Sequence, residues 1–153
     1  MSSSGPLFCV DASVGAKWFL TDEADGGHAR LLLNLFVTGD LDFVVPELFF
    51  YELGNILIKA ARSGRLPEKD QLACLEQVNG LHLKTVGARG TVSAALFYSR
   101  LLGVSFYDAT YLAVAESLSI PLVTCDSRLL RAASARVDWV MTPAAAAESV
   151  SAR

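Results

Sequence analysis

The sequence predicts an α/β protein: a central, mostly parallel sheet of about five strands with helices on both faces. Short apolar runs alternate with stretches of helical periodicity along the chain. Gly, Pro, Ser and Asp fall between these runs, where caps and turns need them. Strands joined by helix-length connections pair in parallel.

Leu7-Phe8-Cys9-Val10 is the first strand. Ser13 can cap a short helix through Leu20 that carries Trp18 and Phe19, with Asp11 as the competing cap. Gly26-Gly27 opens a helix to about Thr38, with Leu31, Leu32, Leu35 and Phe36 as its apolar face, and Gly39-Asp40 ends it. Asp42 to Val45 is the second strand, and Pro46 suits the first turn of the following helix. That helix runs to about Arg62 and ends before Gly64. Pro67 starts another, with Leu72, Leu75 and Val78 as its stripe, and Leu81 to Val86 is the third strand. Thr91 to Leu102 is a helix closed by Gly103. Ser105 caps the next, to Ser117, with Asp108 at the capping-box spacing. Leu122 to Cys125 is the fourth strand, Asp126 or Ser127 caps a helix over Arg128 to Ala133, and Val137 to Met141 is the fifth strand. Ala144 to Glu148 is either a short helix or a frayed tail. Without repeat, low-complexity tract or linker, residues 1–153 read as a single domain with its core at about 7–141.

Composition narrows the function classes. The 153 residues are enough for one real core. With 52% hydrophobic and 19% charged residues, the chain is globular on the apolar side, with surplus for a partner surface. Asp11 and Lys17 break the N-terminal apolar stretch, so no membrane span is expected. The start, Met1-Ser2-Ser3-Ser4-Gly5-Pro6, lacks a basic region, so no signal peptide is expected. Cys9, Cys74 and Cys125 lie in apolar segments without a neighbouring His, and read as reduced, buried thiols of a cytoplasmic protein. The net charge of −3 is not the basic footprint of a nucleic-acid binder. Setting aside four particular acids turns that balance to +1, so a polyanion could bind once metal cancels those acids.

These four are Asp11, Glu52, Asp108 and Asp126. Asp11 and Asp126 follow the first and fourth strands, and open parallel sheets form their sites beyond the carboxyl ends of strands. Glu52 falls on the stripe of Phe49, Leu53, Ile56, Leu57 and Ala60, away from Lys59 and Arg62. Asp108 lies in the first turn of a helix, which puts it near the same edge if the preceding loop returns there. Each has a duller use: Asp11, Asp108 and Asp126 as caps, Glu52 as a stripe-edge residue reaching solvent. Four carboxylates at one edge repel, however, and need cations or protons. An open, oxygen-only donor set suits Mg2+ or Mn2+, ions that serve in-line displacement at phosphorus. Ser13 and Thr124 add hydroxyls for water or phosphate. Asn55, one turn beyond Glu52, either holds its carboxylate or caps a loop carbonyl.

Other chemistries lack their residues. The chain has no Gly-rich phosphate loop, no G-x-S-x-G and no zinc spacing. His28 and His82 read as surface or boundary residues, and Trp18 and Trp139 as core. A phosphotransfer receiver would want adjacent acids after the first strand and a late Lys, where this chain has Asp11-Ala12 and no Lys beyond Lys84.

The motifs Asp11-Ala12-Ser13, Pro46-Glu47-Leu48 leading to Tyr51-Glu52-Leu53-Gly54-Asn55, Ser105-Phe106-Tyr107-Asp108-Ala109-Thr110-Tyr111, and Leu122-Val123-Thr124-Cys125-Asp126 follow one another in order. In this arrangement the chain resembles the PIN-domain nucleases, and within them the VapC toxins of toxin–antitoxin pairs. The resemblance covers Val10 to Val140. It implies a Mg2+- or Mn2+-dependent endoribonuclease in which metal-activated water attacks an RNA backbone phosphate. It implies Asp11, Glu52, Asp108 and Asp126 as the acidic metal site, a homodimer, and a cognate antitoxin protein. Such a partner could place an Arg or Lys in the acidic pocket. Some relatives carry another acid after the last Asp. Here Ser127 and Arg128 follow, which implies a second metal held weakly or brought by substrate. Two alternatives stay open: a non-catalytic module that binds a basic peptide, and a housekeeping RNA-processing nuclease.

Overall fold

Phe8, Cys9 and Val10 are all buried, as a strand covered on both faces requires. They belong to β1 (Leu7–Val10), the middle strand of the sheet. The computed structural model describes residues 5–22 and 26–153. Of residues 1–6, on which the expectation of no signal peptide rests, 1–4 lie outside the described residues, as do 23–25. The elements are β1, α1 (Ala12–Lys17), α2 (Gly26–Thr38), β2 (Asp42–Pro46), α3 (Leu48–Arg62), α4 (Gln71–Gly80), β3 (Lys84–Val86), α5 (Val92–Leu102), α6 (Phe106–Leu118), β4 (Leu122–Val123), α7 (Ser127–Ser134), β5 (Val140–Met141) and α8 (Pro143–Ser151). Short 3₁₀ turns precede α4 and α5.

All strand pairs are parallel, in the order β3-β2-β1-β4-β5. The chain builds outward from β1 through β2 to β3, then returns to β4 and β5 on the other side. This reversal makes the carboxyl edge between β1 and β4 the switch point where such sheets bind ligands. Val10 pairs with Val123, so Asp11 and Thr124 leave the sheet side by side.

Side chains alternate across the sheet. On one face Phe43 stacks with Phe36 of α2 and with Trp18, their ring centres 5.1 and 5.8 Å away, and Trp18 meets Phe49 of α3. On the other, the Cys9 thiol contacts the Tyr111 carbonyl of α6, 3.8 Å away, and α5 packs behind α6. Gly15 allows α1 to approach α3: a Cβ there would sit 2.6 Å from the Phe49 ring. Gly15→Val should therefore destabilise the fold by about 1–3 kcal/mol through overpacking, as read by chemical denaturation.

Several boundaries differ from expectation for physical reasons. Asp11 rather than Ser13 caps α1, because the Ser13 hydroxyl is spent on the Asp11 carboxylate. Pro46 ends β2, in register with Val86, rather than starting α3. His82 sits in the left-handed region (φ 52°), so β3 extends only from Lys84. β4 and β5 are two-residue strands. Leu31 and Leu72 face solvent. The α4 stripe is Cys74 and Val78, and Gln71 takes the place against α3 by donating to the Leu57 carbonyl (3.2 Å). Trp18 is core, but Trp139 is only partly buried. All three cysteines are thiols; Cys9 and Cys74 are buried and Cys125 is partly so. The C-terminal stretch is a helix capped by Thr142, with Pro143 in its first turn. It buries Ala146 and Ala147, which carries the core beyond residue 141.

Candidate active site

Parallel strands all end on one edge; a helix that directly follows a strand, such as α3 after β2, begins there, and so does one that leads straight into the next strand, such as α6 before β4. That rule gathers the four acids from three kinds of position: directly after β1 (Asp11), after β4 (Asp126), and in the early turns of α3 (Glu52) and α6 (Asp108).

Asp11 is the most constrained. It is 5% exposed and both carboxylate oxygens are engaged. Oδ1 accepts from the Ser13 hydroxyl (2.5 Å) and the Ser13 N–H (3.1 Å), and Oδ2 from the Thr124 hydroxyl (2.5 Å). Each hydroxyl is anchored in turn by the loop after β4. The Cys125 N–H donates to Ser13 Oγ (2.9 Å) and the Asp126 N–H to Thr124 Oγ1 (3.0 Å). The two chain ends at the switch point are thus laced together through a single carboxylate. Burial pushes Asp11 up to about 6, against the pull of its hydroxyl partners, and the charge of Asp126 adds to the rise.

Asp126 caps α7, its Oδ1 accepting from the N–H groups of Arg128 (2.9 Å) and Leu129 (3.3 Å). Asp108 lies in the first turn of α6, where its N–H donates to Ser105 Oγ (3.0 Å). Burial raises Asp108, and Asp126 raises it further; the Ser105 side chain and the Arg128 charge pull it back. Burial likewise raises Glu52, opposed by a hydrogen bond from Tyr111 and reinforced by Asp108.

The four acids therefore form a chain of electrostatic neighbours, Asp11 to Asp126 to Asp108 to Glu52, with Arg128 beside Asp108 as an opposing charge. Each local capping use coexists with that repulsion. Among the described residues, no three His, Cys, Asp or Glu side chains stand as a ready metal-holding group. What fits a hard divalent ion is the chemistry: oxygen donors only, excess negative charge, and a buried carboxylate that resists ionisation.

Asn55 is exposed. The group that holds Glu52 is Tyr111, which no local sequence pattern pairs with it. Its hydroxyl donates to Glu52 Oε1 at 2.5 Å from a ring that is 1% exposed. The available signal was a Tyr in the middle of an apolar helix, whose buried hydroxyl needs a partner. Tyr111→Phe should cost about 1–2 kcal/mol in stability by leaving the half-buried Glu52 carboxylate without its donor, measurable by urea denaturation. Cys9 is sealed from solvent, and burial raises its thiol above its ordinary value, which disfavours the nucleophilic thiolate.

A cavity of about 220 Å3 opens beside the acids, lined in part by Thr124, Asp126, Leu130 and Pro143. His28 of α2 reaches it as well, a placement that its isolation in sequence did not reveal.

The sequence model of the PIN domain matches residues 8–135 of this chain. Ribonuclease VapC1 of Mycobacterium tuberculosis is 37% identical over 90 residues, which span 57% of this chain and 65% of that protein. Ribonuclease VapC3 of Pyrobaculum aerophilum is 30% identical over 122 residues, covering 78% of this chain and 89% of the relative. Among solved structures, PAE2754 from Pyrobaculum aerophilum superposes with a TM-score of 0.70 at 26% identity, covering 97% of this chain and 91% of that one.

Proposed function

This chain belongs to the PIN domain family, and on that premise we propose that it is a metal-dependent endoribonuclease, the toxin of a toxin–antitoxin pair. The observation that carries the reading is Asp11: a buried carboxylate, fixed by two hydroxyls at the sheet's switch point, with Asp126 adjoining and further acids beyond. The relatives named ribonucleases support the reaction class.

In this proposal Asp11 and Asp126 hold one divalent ion, Mg2+ or Mn2+, with Asp108 directly or through water. Glu52 orients water or helps a second ion. When bound, such an ion activates water and steadies the charge on phosphate oxygens. The chain's own residues do the rest. Ser13 and Thr124 fix the Asp11 oxygens in place. Tyr111 fixes Glu52, and Arg128 offers a cation to the RNA backbone at the rim of the acids.

The partners follow from the same charges. An antitoxin side chain bearing Lys or Arg would satisfy the acids as the ion does. The exposed apolar side of α5, with Val92, Leu96, Phe97 and Leu101, supports a homodimer. No helix among the described residues is long and apolar enough to cross a membrane, and a cytoplasmic location is part of the proposal. A second reading, a non-catalytic module for a basic peptide, would use the same excess negative charge without an ion.

The deciding experiment incubates the purified chain with structured RNAs in Mg2+ or Mn2+ and maps the fragment ends. Cleavage at internal sites that chelation abolishes is the expected result. Intact RNA across several substrates, with both ions, rejects the nuclease reading in favour of the binding module.

A further inference from the structure

Resting on the nuclease reading above, we propose that the cavity beside Asp126 is a nucleobase subsite, which takes one unstacked base of single-stranded RNA next to the scissile phosphate. The cavity is continuous with the acidic site, because Thr124 and Asp126 belong to both. Much of its remaining wall comes from three other places: His28 of α2, Leu130 of α7, and Pro143 and Ala144 of α8. The C-terminal helix thus does more than cover the core. By packing on α2 it builds one side of a slot at the mouth of the acids.

Size and chemistry both select a base. At about 220 Å3, the cavity lies below the ~300–1,000 Å3 of sites for drug-sized ligands, with room for one planar ring system rather than a folded cofactor. Its lining combines apolar side chains, Leu130, Pro143 and Ala144, with the imidazole-bearing His28 and the hydroxyl-bearing Ser127 and Thr142. RNA is read in sequence mostly through splayed bases, stacked on aromatic groups that include His and hydrogen-bonded at their edges.

A phosphate fits this cavity poorly. No Lys or Arg is among its described lining residues. The two helix N-termini that meet there are already capped. Asp126 accepts the N–H groups of Arg128 and Leu129, and Thr142 accepts that of Ala145 (3.2 Å). A shallower trough of about 440 Å3 shares His28 and Ala144 with the cavity, and an incoming strand would lie along it.

The test uses short single-stranded oligoribonucleotides carrying 2-aminopurine or an abasic ribose at each position in turn, bound in Ca2+. It compares the full chain with Ala144→Phe, which fills the slot, and with His28→Ala, a change at an exposed helix position that spares the core. Thermal melts establish that both variants fold. One or two 2-aminopurine positions should change fluorescence on binding. At those positions an abasic ribose should weaken binding by about tenfold, the scale of one base–aromatic stack. Both variants should bind base-bearing strands as weakly as abasic ones.

If abasic substitution costs nothing at any position, or both variants retain the base preference, the subsite is refuted. A parallel cleavage assay in Mg2+ separates the two claims. Cleavage without base-dependent binding leaves the nuclease reading intact and removes the subsite. Base-dependent binding without cleavage does the reverse. Binding of a basic peptide but of no RNA removes both.

Discussion

Asp11→Asn should lower metal-dependent RNA cleavage by roughly two to three orders of magnitude, the scale of removing one preorganised electrostatic group. The substitution keeps the shape of the side chain and removes its charge. The cap of α1 survives, because an amide oxygen in the Oδ1 position still accepts from Ser13. On the other side the new amide would donate to Thr124 Oγ1, whose hydroxyl can rotate to accept. That hydroxyl already accepts the Asp126 N–H, and an sp3 oxygen has a second lone pair to offer. The fold should therefore be retained, as judged by circular dichroism and thermal melting, while the charge that would hold an ion beside Asp126 is gone. Full activity in this variant, purified free of contaminating nuclease, would sink the assignment of Asp11. Loss of activity together with loss of fold would call for Asp126→Asn as the second probe. There the amide oxygen can keep the α7 cap.

Through its crowded acids, acidification should stabilise the metal-free protein, with the exposed Asp22–Arg65 ion pair acting weakly the other way. The sign follows from Asp11. Its ordinary value of 3.8 rises to about 6 in the fold, chiefly through burial. Between those values the folded state binds more protons than the unfolded chain, so stability grows as pH falls from above 6 toward 4. Above 6 both states are ionised and the fold carries the full penalty. A rise of about two units corresponds to at most about 3 kcal/mol. Glu52 and Asp108 are raised as well, so they act in the same direction. A divalent ion favours the ionised form. Mg2+ or Mn2+ should therefore stabilise the protein more at pH 7.5 than at pH 5.5, and metal affinity should weaken on acidification. Urea denaturation in EDTA and in Mg2+ at the two pH values tests both statements. Metal-free stability that falls on acidification, or a metal effect independent of pH, would contradict the crowding of these acids. In EDTA, Asp11→Asn should show a flatter pH dependence than the parent.

The two predictions are linked by how Asp11 is built into the fold. Its position after a fully apolar strand is written locally, since Leu7 to Val10 can only be interior and the next residue leaves the sheet. The same holds for Ser105 and the first turn of α6, and for Gly103, whose left-handed φ of 66° ends α5. In each case one residue type meets one local geometric demand. Pro46 shows where this logic stops. A Pro suits both a strand end and a first helical turn, and its pairing opposite Val86 decided between them. Leu72 shows it again: its hydrophobicity was real, but Gln71 took the inward place through the Leu57 carbonyl.

The order of elements, the parallel sheet and the placement of four acids at strand ends and helix starts were determined by the sequence alone, because periodicity, caps and apolar runs act over a few residues. Tertiary structure decided what those acids touch. Thr124 lies 113 positions from Asp11 and Tyr111 lies 59 from Glu52, and no local pattern encodes a hydrogen bond across such separations. The cavity that His28 shares with Asp126 likewise exists only once α2, α7 and α8 are packed. Local propensity fixes where a side chain leaves its own element. Which partner it meets is fixed by the packing of elements that the chain brings together from afar.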